Sequence, residues 1–562
     1  MSTNISGEKR AALLSEINQI KAFIEQKAND ENASRLLSYL GDLSKEISGK
    51  KYGLIFEEHR EKIDEILEQN APVFTEEKDL FIDGGGELNF LLEGDNLASL
   101  KLLEKTHRGK IDVIYIDPPY NTGNKDFIYD DDYVNELDDF KHSKWLSFIE
   151  KRLIIAKTLL REEGIIFISI NDIEVAQLRL ILDSIFGEKN YLAEIAWQCL
   201  DTIKNDAKYF SNNHEYILCY AKKIETLKMQ GLLKGEKQRA YYKNYDNDPR
   251  GDYLLTPLHA KSGTEAGIYS YKFSNGQIWT PPKGTYPRFS KETLAKLDKE
   301  GRLYLDPNCK KTPQKKTYYS EVGDRMPAPS FWDYINYGST RQSNKELADI
   351  IDKGIFQNPK PSKLITILID LIANNSNMTI LDFFAGSGTT GHAVLKLNAE
   401  DGGHRKFILC TNNENNICRD ITYERIKTVI TGKRKDGSKY SDGLPGSLKY
   451  FKTDFIPITE KMYYEYADDL LLHVRELVEL ENAVNFDKDN SVAIVLDDEE
   501  MEAFIDKVVS TGSTTTDICS ITTKTLYMGH DVLLSSKQER ILKAHNIKVN
   551  VIPDYYYRDL AL

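Results

Sequence analysis

The sequence predicts an α/β fold with a doubly wound parallel sheet. Apolar, β-branched runs typical of buried strands alternate with stretches of helical periodicity, and this order builds parallel sheets. Two of the predicted strands lead into distinctive turns, Asp117-Pro118-Pro119-Tyr120 and Gly386-Ser387-Gly388. Ligands of open α/β sheets bind beyond the carboxyl ends of the strands, so both turns are candidate functional sites.

The chain has 562 residues, too many for one hydrophobic core, and several structural units are expected. Helical periodicity dominates at the start, the α/β pattern is interrupted by an irregular segment, and strand signals return near the end. The predicted regions are a helical N-terminal region, the first half of an α/β unit, the interrupting segment, the second half and a C-terminal region, at 1–78, 79–224, 225–350, 351–455 and 456–562.

The composition is that of a globular protein, with 41% hydrophobic and 29% charged residues. No apolar run reaches the roughly 20 residues that span a bilayer. The charged pattern that follows the first residues is unlike a secretory signal, so we expect a cytoplasmic protein without a membrane segment. The six cysteines include no Cys-x-x-Cys pair, which argues against a zinc site and a disulfide framework, and no metal is predicted.

Positive charge is concentrated between residues 225 and 345. This window holds 21 lysines and arginines against 13 aspartates and glutamates, a balance of +8 in a chain whose net charge is −13. Basic residues alternate there with aromatic ones, as in Tyr286-Pro287-Arg288-Phe289 and Lys315-Lys316-Thr317-Tyr318-Tyr319. Lysine and arginine neutralise phosphates, and arginine and amide side chains read base edges. The window therefore favours contact with nucleic acid, and a solvated charged face is the alternative.

Asp117-Pro118-Pro119-Tyr120 follows the apolar run Ile111–Ile116, a predicted buried strand. The Asp117 carboxylate and the Pro118 carbonyl can both accept hydrogen bonds from an exocyclic amine. Proline fixes φ and has no N–H, so this carbonyl is held in place and neither proline adds a competing donor. Tyr120 can stack on a flat ring. The turn is a candidate site for gripping a base, and an ordinary Asp-Pro turn is the alternative.

The stretch from Thr379 to Gly391 predicts a strand, a glycine turn and a helix N-terminus, which together suit close approach of a ligand. It also matches the Gly-x-Gly-x-x-Gly pattern of NAD-binding units, whereas the lysine of a phosphate-binding P-loop is missing. Asp382, inside the predicted strand, suits an amino-acid ammonium group better than a pyrophosphate. This favours S-adenosyl-L-methionine over NAD, and Glu414 could hold the ribose of either cofactor.

With both motifs present, the sequence resembles the β-class amino-methyltransferases of DNA, which pair Asp-Pro-Pro-Tyr with Phe-x-Gly-x-Gly, here Phe384-Ala385-Gly386-Ser387-Gly388. The tetrapeptide precedes the glycine motif, as in the permuted order of that class. More specifically, the chain resembles the modification (Mod) subunit of type III restriction-modification systems. The stretches that carry this resemblance are Lys110–Thr122, Asn416–Arg425 and Leu448–Phe455.

The resemblance implies a Rossmann-like fold that depends on S-adenosyl-L-methionine and has permuted motif order. Residues 79–224 would be its catalytic half, 351–455 its cofactor-binding half and 225–350 an inserted target-recognition domain. Residues 456–562 would serve oligomerisation or partner binding. The implied reaction is site-specific methylation of adenine N6 in double-stranded DNA, by base flipping and direct displacement. A homodimer and a restriction (Res) helicase-nuclease subunit are the implied partners.

The resemblance also assigns roles to residues of this chain. Tyr120 would stack on the flipped base. The predicted catalytic residues are Asp117, Pro118, Pro119 and Tyr120, and the predicted cofactor-binding residues are Lys360, Asp382, Phe384, Ala385, Gly386, Gly388, Asn412 and Glu414. The strand after the glycine motif ends in Thr411-Asn412-Asn413 without an acid at its tip, so the ribose contact is open between Asn412 and Glu414.

Three alternatives follow from the same residues. Methylation of cytosine N4 uses the same geometry as methylation of adenine N6, and the choice of adenine depends on the resemblance. RNA could replace DNA as the polymer, although the long insertion favours a reader of duplex DNA. A role confined to site recognition for a helicase-nuclease partner is the non-enzymatic alternative, and the two intact motifs argue against it.

Overall fold

The computed structural model describes residues 5–27, 36–41, 43–44, 56–123, 128–129, 132–133, 139–203, 207–373, 376–458, 470–511, 523–552 and 556. Its helices of eight or more residues are Ile5–Lys27, Lys62–Gln69, Asn96–His107, Lys141–Leu159, Val175–Phe186, Lys291–Lys299, Thr340–Ala348, Ser362–Asp370, Thr389–Asp401, Glu424–Thr431, Val474–Asn482, Asp498–Thr511 and Ser536–Ala544. Shorter helices lie at Glu236–Arg239, Tyr319–Val322 and Tyr334–Tyr337, and Ile417–Tyr423 is a π-helix.

Eleven strands form the central sheet. In chain order they are β1 (Asn70–Glu76), β2 (Ile82–Asp83), β3 (Leu88–Glu93), β4 (Ile111–Ile116), β5 (Leu160–Ile170), β6 (Tyr191–Trp197), β7 (Glu215–Ala221), β8 (Phe331–Trp332), β9 (Thr379–Asp382), β10 (Lys406–Thr411) and β11 (Ser447–Pro457). Their spatial order is β1-β11-β3-β10-β9-β4-β5-β7-β6-β8, with β2 also paired to β11. The run from β11 to β5 is parallel throughout, which confirms the predicted α/β fold.

Helices cover both faces of this sheet, as in a doubly wound fold. Successive residues of β4 point to opposite faces, since Ile114 and Ile116 belong to one hydrophobic cluster and Val113 and Tyr115 to the other. The first cluster includes helices Asn96–His107, Lys141–Leu159 and Val175–Phe186, and the second includes Ser362–Asp370, Thr389–Asp401 and Glu424–Thr431. All six residues of β4 are buried, which explains its largely apolar sequence. The exception, Asp112, accepts a hydrogen bond of 2.8 Å from the Thr379 N–H and pairs with Arg161.

Two elements differ from the sequence-based expectation. The N-terminal region, predicted as helical over 1–78, contains strand β1, which pairs antiparallel with β11 at the edge of the sheet. Pro72 explains the change, because the residue before a proline disfavours helix and an edge strand tolerates the missing N–H. Strand β7 is antiparallel to both β5 and β6, so this side of the sheet is mixed.

The segment between the two halves forms small antiparallel sheets around a core of its own. Strands Tyr253–Pro257, Gln314–Tyr318 and Leu303–Tyr304 form one sheet, and two-stranded pairs are formed by Leu232–Leu233 with Arg325–Met326, His259–Ala260 with Tyr286–Pro287, and Tyr271–Lys272 with Ile278–Trp279. The core residues are Leu258, Phe273, Trp279, Leu294 and Leu303. The segment then returns to the central sheet through β8, which pairs in parallel with β6.

The C-terminal region adds a three-stranded parallel sheet, Val492–Val495, Thr525–Gly529 and Lys548–Ile552. A buried ion pair links it to the central sheet, because Lys449 of β11 contacts Glu479 of helix Val474–Asn482. Lys449 also lies 3.0 Å from Glu76 of β1. The side chains of Lys449 and Glu479 are only 2% and 1% exposed, so Glu479 depends on Lys449 for compensation of its charge.

We expect Lys449→Met to lower the free energy of unfolding by about 3–5 kcal/mol, because Glu479 would be left as a buried charge with its ammonium partner removed. Urea denaturation followed by tryptophan fluorescence measures the loss. The matched control is Lys452→Met on the same strand, whose exposed pair with Asp454 should contribute less than about 1 kcal/mol. Equal losses in the two variants would contradict this role of Lys449.

Candidate active site

The Asp117–Tyr120 turn lies at the carboxyl end of β4, between the ends of β5 and β9. Pro118 is buried, and the indole N–H of Trp145 donates a hydrogen bond of 2.7 Å to the carbonyl of Pro119. Trp145 is itself fully buried in helix Lys141–Leu159. The turn is therefore anchored from the helical layer, and the Asp117 side chain remains 27% exposed.

One ammonium group organises the polar side chains of this turn. Lys360 Nζ lies 2.8 Å from each carboxylate oxygen of Asp117 and donates to the Tyr120 hydroxyl at 2.8 Å. It also lies 3.3 Å from a carboxylate oxygen of Glu215, the first residue of β7. The Tyr120 hydroxyl is within hydrogen-bond distance of Asp117, at 2.9 Å, and of Glu215, at 3.0 Å. Four side chains from three distant parts of the chain thus meet at one point.

The charges of this cluster follow from its burial. Burial by itself would lower the pKa of Lys360, but the carboxylates of Asp117 and Glu215 outweigh it and raise that pKa above its usual range. Lys360 therefore stays protonated although its side chain is only 7% exposed. Burial, together with the same two carboxylates, raises the pKa of Tyr120 well above its ordinary value, so the phenol stays neutral.

The glycine turn follows β9, the neighbour of β4 in the sheet. Gly386 and Gly388 have φ of 48° and 72°, a backbone region that favours glycine. A Cβ at Gly386 would lie 3.3 Å from the ring of Phe356, and one at Gly388 would lie 3.3 Å from Thr422. Gly388 is the N-cap of helix Thr389–Asp401, so backbone N–H groups are presented at this turn.

Asp382 lies at the end of β9 and is only 3% exposed. Its carboxylate accepts hydrogen bonds from the Phe384 N–H at 3.0 Å and from the Thr390 hydroxyl at 2.5 Å. Burial raises the pKa of Asp382 to about 7, and the nearby charge of Asp117 adds to this shift while the two hydrogen bonds oppose it. A cation bound beside Asp382 would be stabilised by its ionised form.

The predicted cofactor residues are not all gathered at one point. Phe384, Ala385, Gly386 and Gly388 form the turn itself, and Asn412 and Glu414 lie exposed beyond the end of β10. The ammonium of Lys360, predicted to hold the cofactor, lies on Asp117 instead. The carbonyl of Lys360 nevertheless accepts a hydrogen bond of 3.2 Å from Thr389, so this residue touches both turns.

Sequence reasoning missed three residues of the site. Glu215 is not among the predicted site residues, yet its carboxylate completes the Lys360 cluster. Asn96 donates from its amide to the carbonyl of Phe383 at 2.9 Å and so supports the glycine motif. Glu93, at the end of β3, accepts from Arg419 at 2.9 Å and from the Tyr450 hydroxyl. An acid at a strand end is the signal that could have identified Glu93.

The basic and aromatic window at 225–345 contains both buried structural residues and exposed ones. Lys316 is buried, with its ammonium 2.8 Å from Asp248, and the hydroxyl of buried Tyr318 donates to the same carboxylate at 2.7 Å. These two residues tie strand Gln314–Tyr318 to Asp248, and the buried ammonium of Lys316 is not available to a phosphate. The cations that do face solvent include Lys283, Arg288, Lys310 and Lys311.

Within the described ranges, no group of three or more His, Cys, Asp or Glu side chains is placed to hold a metal ion. The five cysteines in those ranges are free thiols. Of the helices that the structure describes, none combines the length and apolarity that crossing a membrane requires.

The chain matches the model of a family described as DNA methylase over residues 111–424. The Mod subunit of the type III restriction-modification enzyme StyLTI of Salmonella typhimurium is 35% identical over 373 residues, with coverage of 61% of this chain and 55% of that protein. The EcoPI Mod subunit of Escherichia phage P1 is 33% identical over 400 residues, with 58% of each chain covered. The type II methyltransferase M.KpnI of Klebsiella pneumoniae is 32% identical over 395 residues, with coverage of 65% of this chain and 90% of that protein.

The chain thus spans little more than half the length of the two Mod subunits. The residues matched by the family model include both turns of the site. The family model covers more than half of this chain, from the first residue of β4 to the helix that packs on the glycine turn. The chain belongs to the DNA methylase family.

Proposed function

We propose that this protein transfers a methyl group from S-adenosyl-L-methionine to adenine N6 at a specific site in double-stranded DNA. The observation that carries this proposal is the position of the Asp117–Tyr120 turn beside the glycine turn, on the adjacent strands β4 and β9 of a DNA methylase. A base held by the first turn would meet a cofactor held by the second. No metal or cysteine nucleophile is needed for such a direct displacement.

The glycine turn fits S-adenosyl-L-methionine on two observations. The positive φ values of Gly386 and Gly388 leave the backbone open to close approach, and the buried carboxylate of Asp382 suits a cationic ligand. Gly386, Gly388, Phe384 and Ala385 would contact the cofactor, with Asp382 on its ammonium group and Asn412 or Glu414 on its ribose. When bound, S-adenosyl-L-methionine supplies an electrophilic methyl group.

The residues of the first turn would bind and orient the target base. A base inside a duplex cannot reach the site, so it must be flipped out at a cost of a few kcal/mol. The ring of Tyr120 would stack on it, and its amine would donate to Asp117 and to the Pro118 carbonyl. A carboxylate offers about four acceptor positions, so Asp117 can receive the amine while Lys360 remains bound. These hydrogen bonds would direct the nitrogen lone pair towards the methyl group.

The inserted segment 225–350 would recognise the DNA site. Its exposed cations support contact with phosphates, although Lys316 and the other buried members of the window are excluded from this role. The names of the StyLTI and EcoPI relatives support a type III modification subunit. We further propose that it acts with a Res partner and that it lies in the cytoplasm. Apolar side chains on the first helix, Leu13, Ile20 and Phe23, are 48–59% exposed and support a homodimer.

We expect DNA from a methylation-free host that expresses this chain to carry N6-methyladenine at one short motif. The Asp117→Ala variant should lose the mark while it still binds DNA, because the carboxylate acts on the base and not on the duplex. Single-molecule sequencing measures the mark, and an electrophoretic shift assay measures binding. Modification of one strand of an asymmetric motif would support the type III assignment.

The control for this experiment is Asp442→Ala, which removes an aspartate whose side chain is 93% exposed and which pairs only with Lys439 among the described contacts. It should methylate like the wild type. Detection of N4-methylcytosine at the motif would change the target base from adenine to cytosine. A mark found only on RNA would change the substrate from DNA to RNA. A full mark in Asp117→Ala would overturn the role of that residue.

We expect the affinity for S-adenosyl-L-methionine to rise by about tenfold between about pH 6 and 8. Burial raises the pKa of Asp382 to about 7, so its carboxylate ionises over this range, and only the ionised form attracts a cation. Asp382→Asn should bind more weakly and show a flat profile. Calorimetric titration measures both, with Asp442→Asn as the control that keeps the wild-type profile. A wild-type profile in Asp382→Asn would contradict the assignment.

A further inference from the structure

Arg425 is a fully buried cation beneath the glycine turn. Its guanidinium donates to the carbonyl of Ser387 at 3.3 Å, to the Ser387 hydroxyl at 3.2 Å and to the Thr389 hydroxyl at 2.8 Å. Ser387 is the middle residue of Gly386-Ser387-Gly388, and Thr389 begins the following helix. The shape of the turn therefore depends on where this guanidinium is held.

The carboxylate that compensates Arg425 comes from the inserted segment. Glu346 lies 3.3 Å from Arg425 Nη2 and belongs to Thr340–Ala348, the last helix of that segment. Burial lowers the pKa of Arg425, and the charge of Glu346 opposes this shift. Arg425 is fully buried, so removal of Glu346, whose side chain is 23% exposed, would leave the Arg425 charge uncompensated. The helix and the turn are therefore tied to each other.

Glu346 holds a second element of the site at the same time. Its carboxylate accepts a hydrogen bond of 3.2 Å from the Ser362 N–H and another from the Ser362 hydroxyl. Ser362 lies two residues after Lys360, whose ammonium contacts Asp117. One side chain of the inserted segment thus contacts both the arginine beneath the glycine turn and the segment that contains Lys360.

Other polar groups near this ion pair cannot take the place of Glu346. His392 lies 3.2 Å from Arg425, and burial together with the Arg425 charge lowers the pKa of His392 well below its ordinary value. A neutral imidazole can accept a hydrogen bond from Arg425 but cannot balance its charge. Lys396, 3.7 Å from Glu346, is a further cation.

We propose that Glu346 and Arg425 are positioning residues that couple DNA binding to cofactor binding. DNA held by segment 225–350 would bias the position of helix Thr340–Ala348, and the Glu346–Arg425 ion pair would transmit this bias to the glycine turn. Coupling between two sites is reciprocal, so S-adenosyl-L-methionine would tighten DNA binding by the same factor. This inference depends on the proposed function, since it assigns DNA and cofactor to those two regions.

The test is calorimetric titration of S-adenosyl-L-methionine into the full chain. The titration is done with and without a duplex that contains the motif identified by sequencing, in unmethylated form. We expect DNA to tighten cofactor binding about fivefold or more in the wild type. Glu346→Gln should bind the cofactor about tenfold more weakly without DNA, and the added duplex should no longer change that affinity. Glu104→Gln, which removes a carboxylate paired with exposed Arg108, should keep both wild-type values.

A second variant covers the case in which Glu346→Gln does not fold, as judged by circular dichroism. Arg425→Lys retains the charge but loses the forked geometry that reaches Ser387 and Glu346 together, and it should also lose the effect of DNA. Wild-type cofactor affinities in a folded variant, with and without DNA, would overturn the proposal. A wild-type chain that binds no S-adenosyl-L-methionine would instead refute the proposed function, so the two failures are distinguishable.

Discussion

The ammonium of Lys360 is the contact on which the candidate active site depends. It joins the carboxyl end of β4, the start of β7 and the segment before helix Ser362–Asp370, which are separated by up to 243 residues in sequence. A lysine so deeply buried stays charged only if carboxylates surround it, and Asp117 and Glu215 supply that environment. The position of the Asp117 carboxylate is therefore fixed by a tertiary ion cluster as well as by the two prolines of its own turn.

The two acidic side chains at the ends of β4 and β9 are in opposite electrostatic conditions. Asp117 already has a cation bound to it, whereas Asp382 is buried with two hydrogen-bond donors, and burial raises its pKa to about 7. A ligand that carries positive charge would stabilise the ionised form of Asp382. Under the proposed function, a neutral polar group would bind at Asp117 and a cationic group at Asp382, at adjacent strand ends.

Local sequence patterns predicted the elements whose burial is continuous and missed those that depend on distant partners. The strand before Asp117 and the glycine turn after Asp382 were predicted correctly, because buried parallel strands are mostly apolar and glycine is favoured at positive φ. The contacts of Glu215 and of the Glu346–Arg425 pair join residues far apart in sequence, and nothing in their own neighbourhoods indicates them. Lys316 shows the opposite case: its basic neighbours favour contact with nucleic acid, but its ammonium is buried against Asp248.

The adjacency of β4 and β9 has a consequence during synthesis of the protein. The edge of β4 that pairs with β9 is completed only after roughly 260 further residues have been made, which takes on the order of tens of seconds at about 5–20 residues per second. Until then a strand that is apolar except for Asp112 presents unpaired N–H and C=O groups on that side. The nascent chain is therefore open to mispairing over this interval, and a chaperone that covers this edge would raise the yield of folded protein.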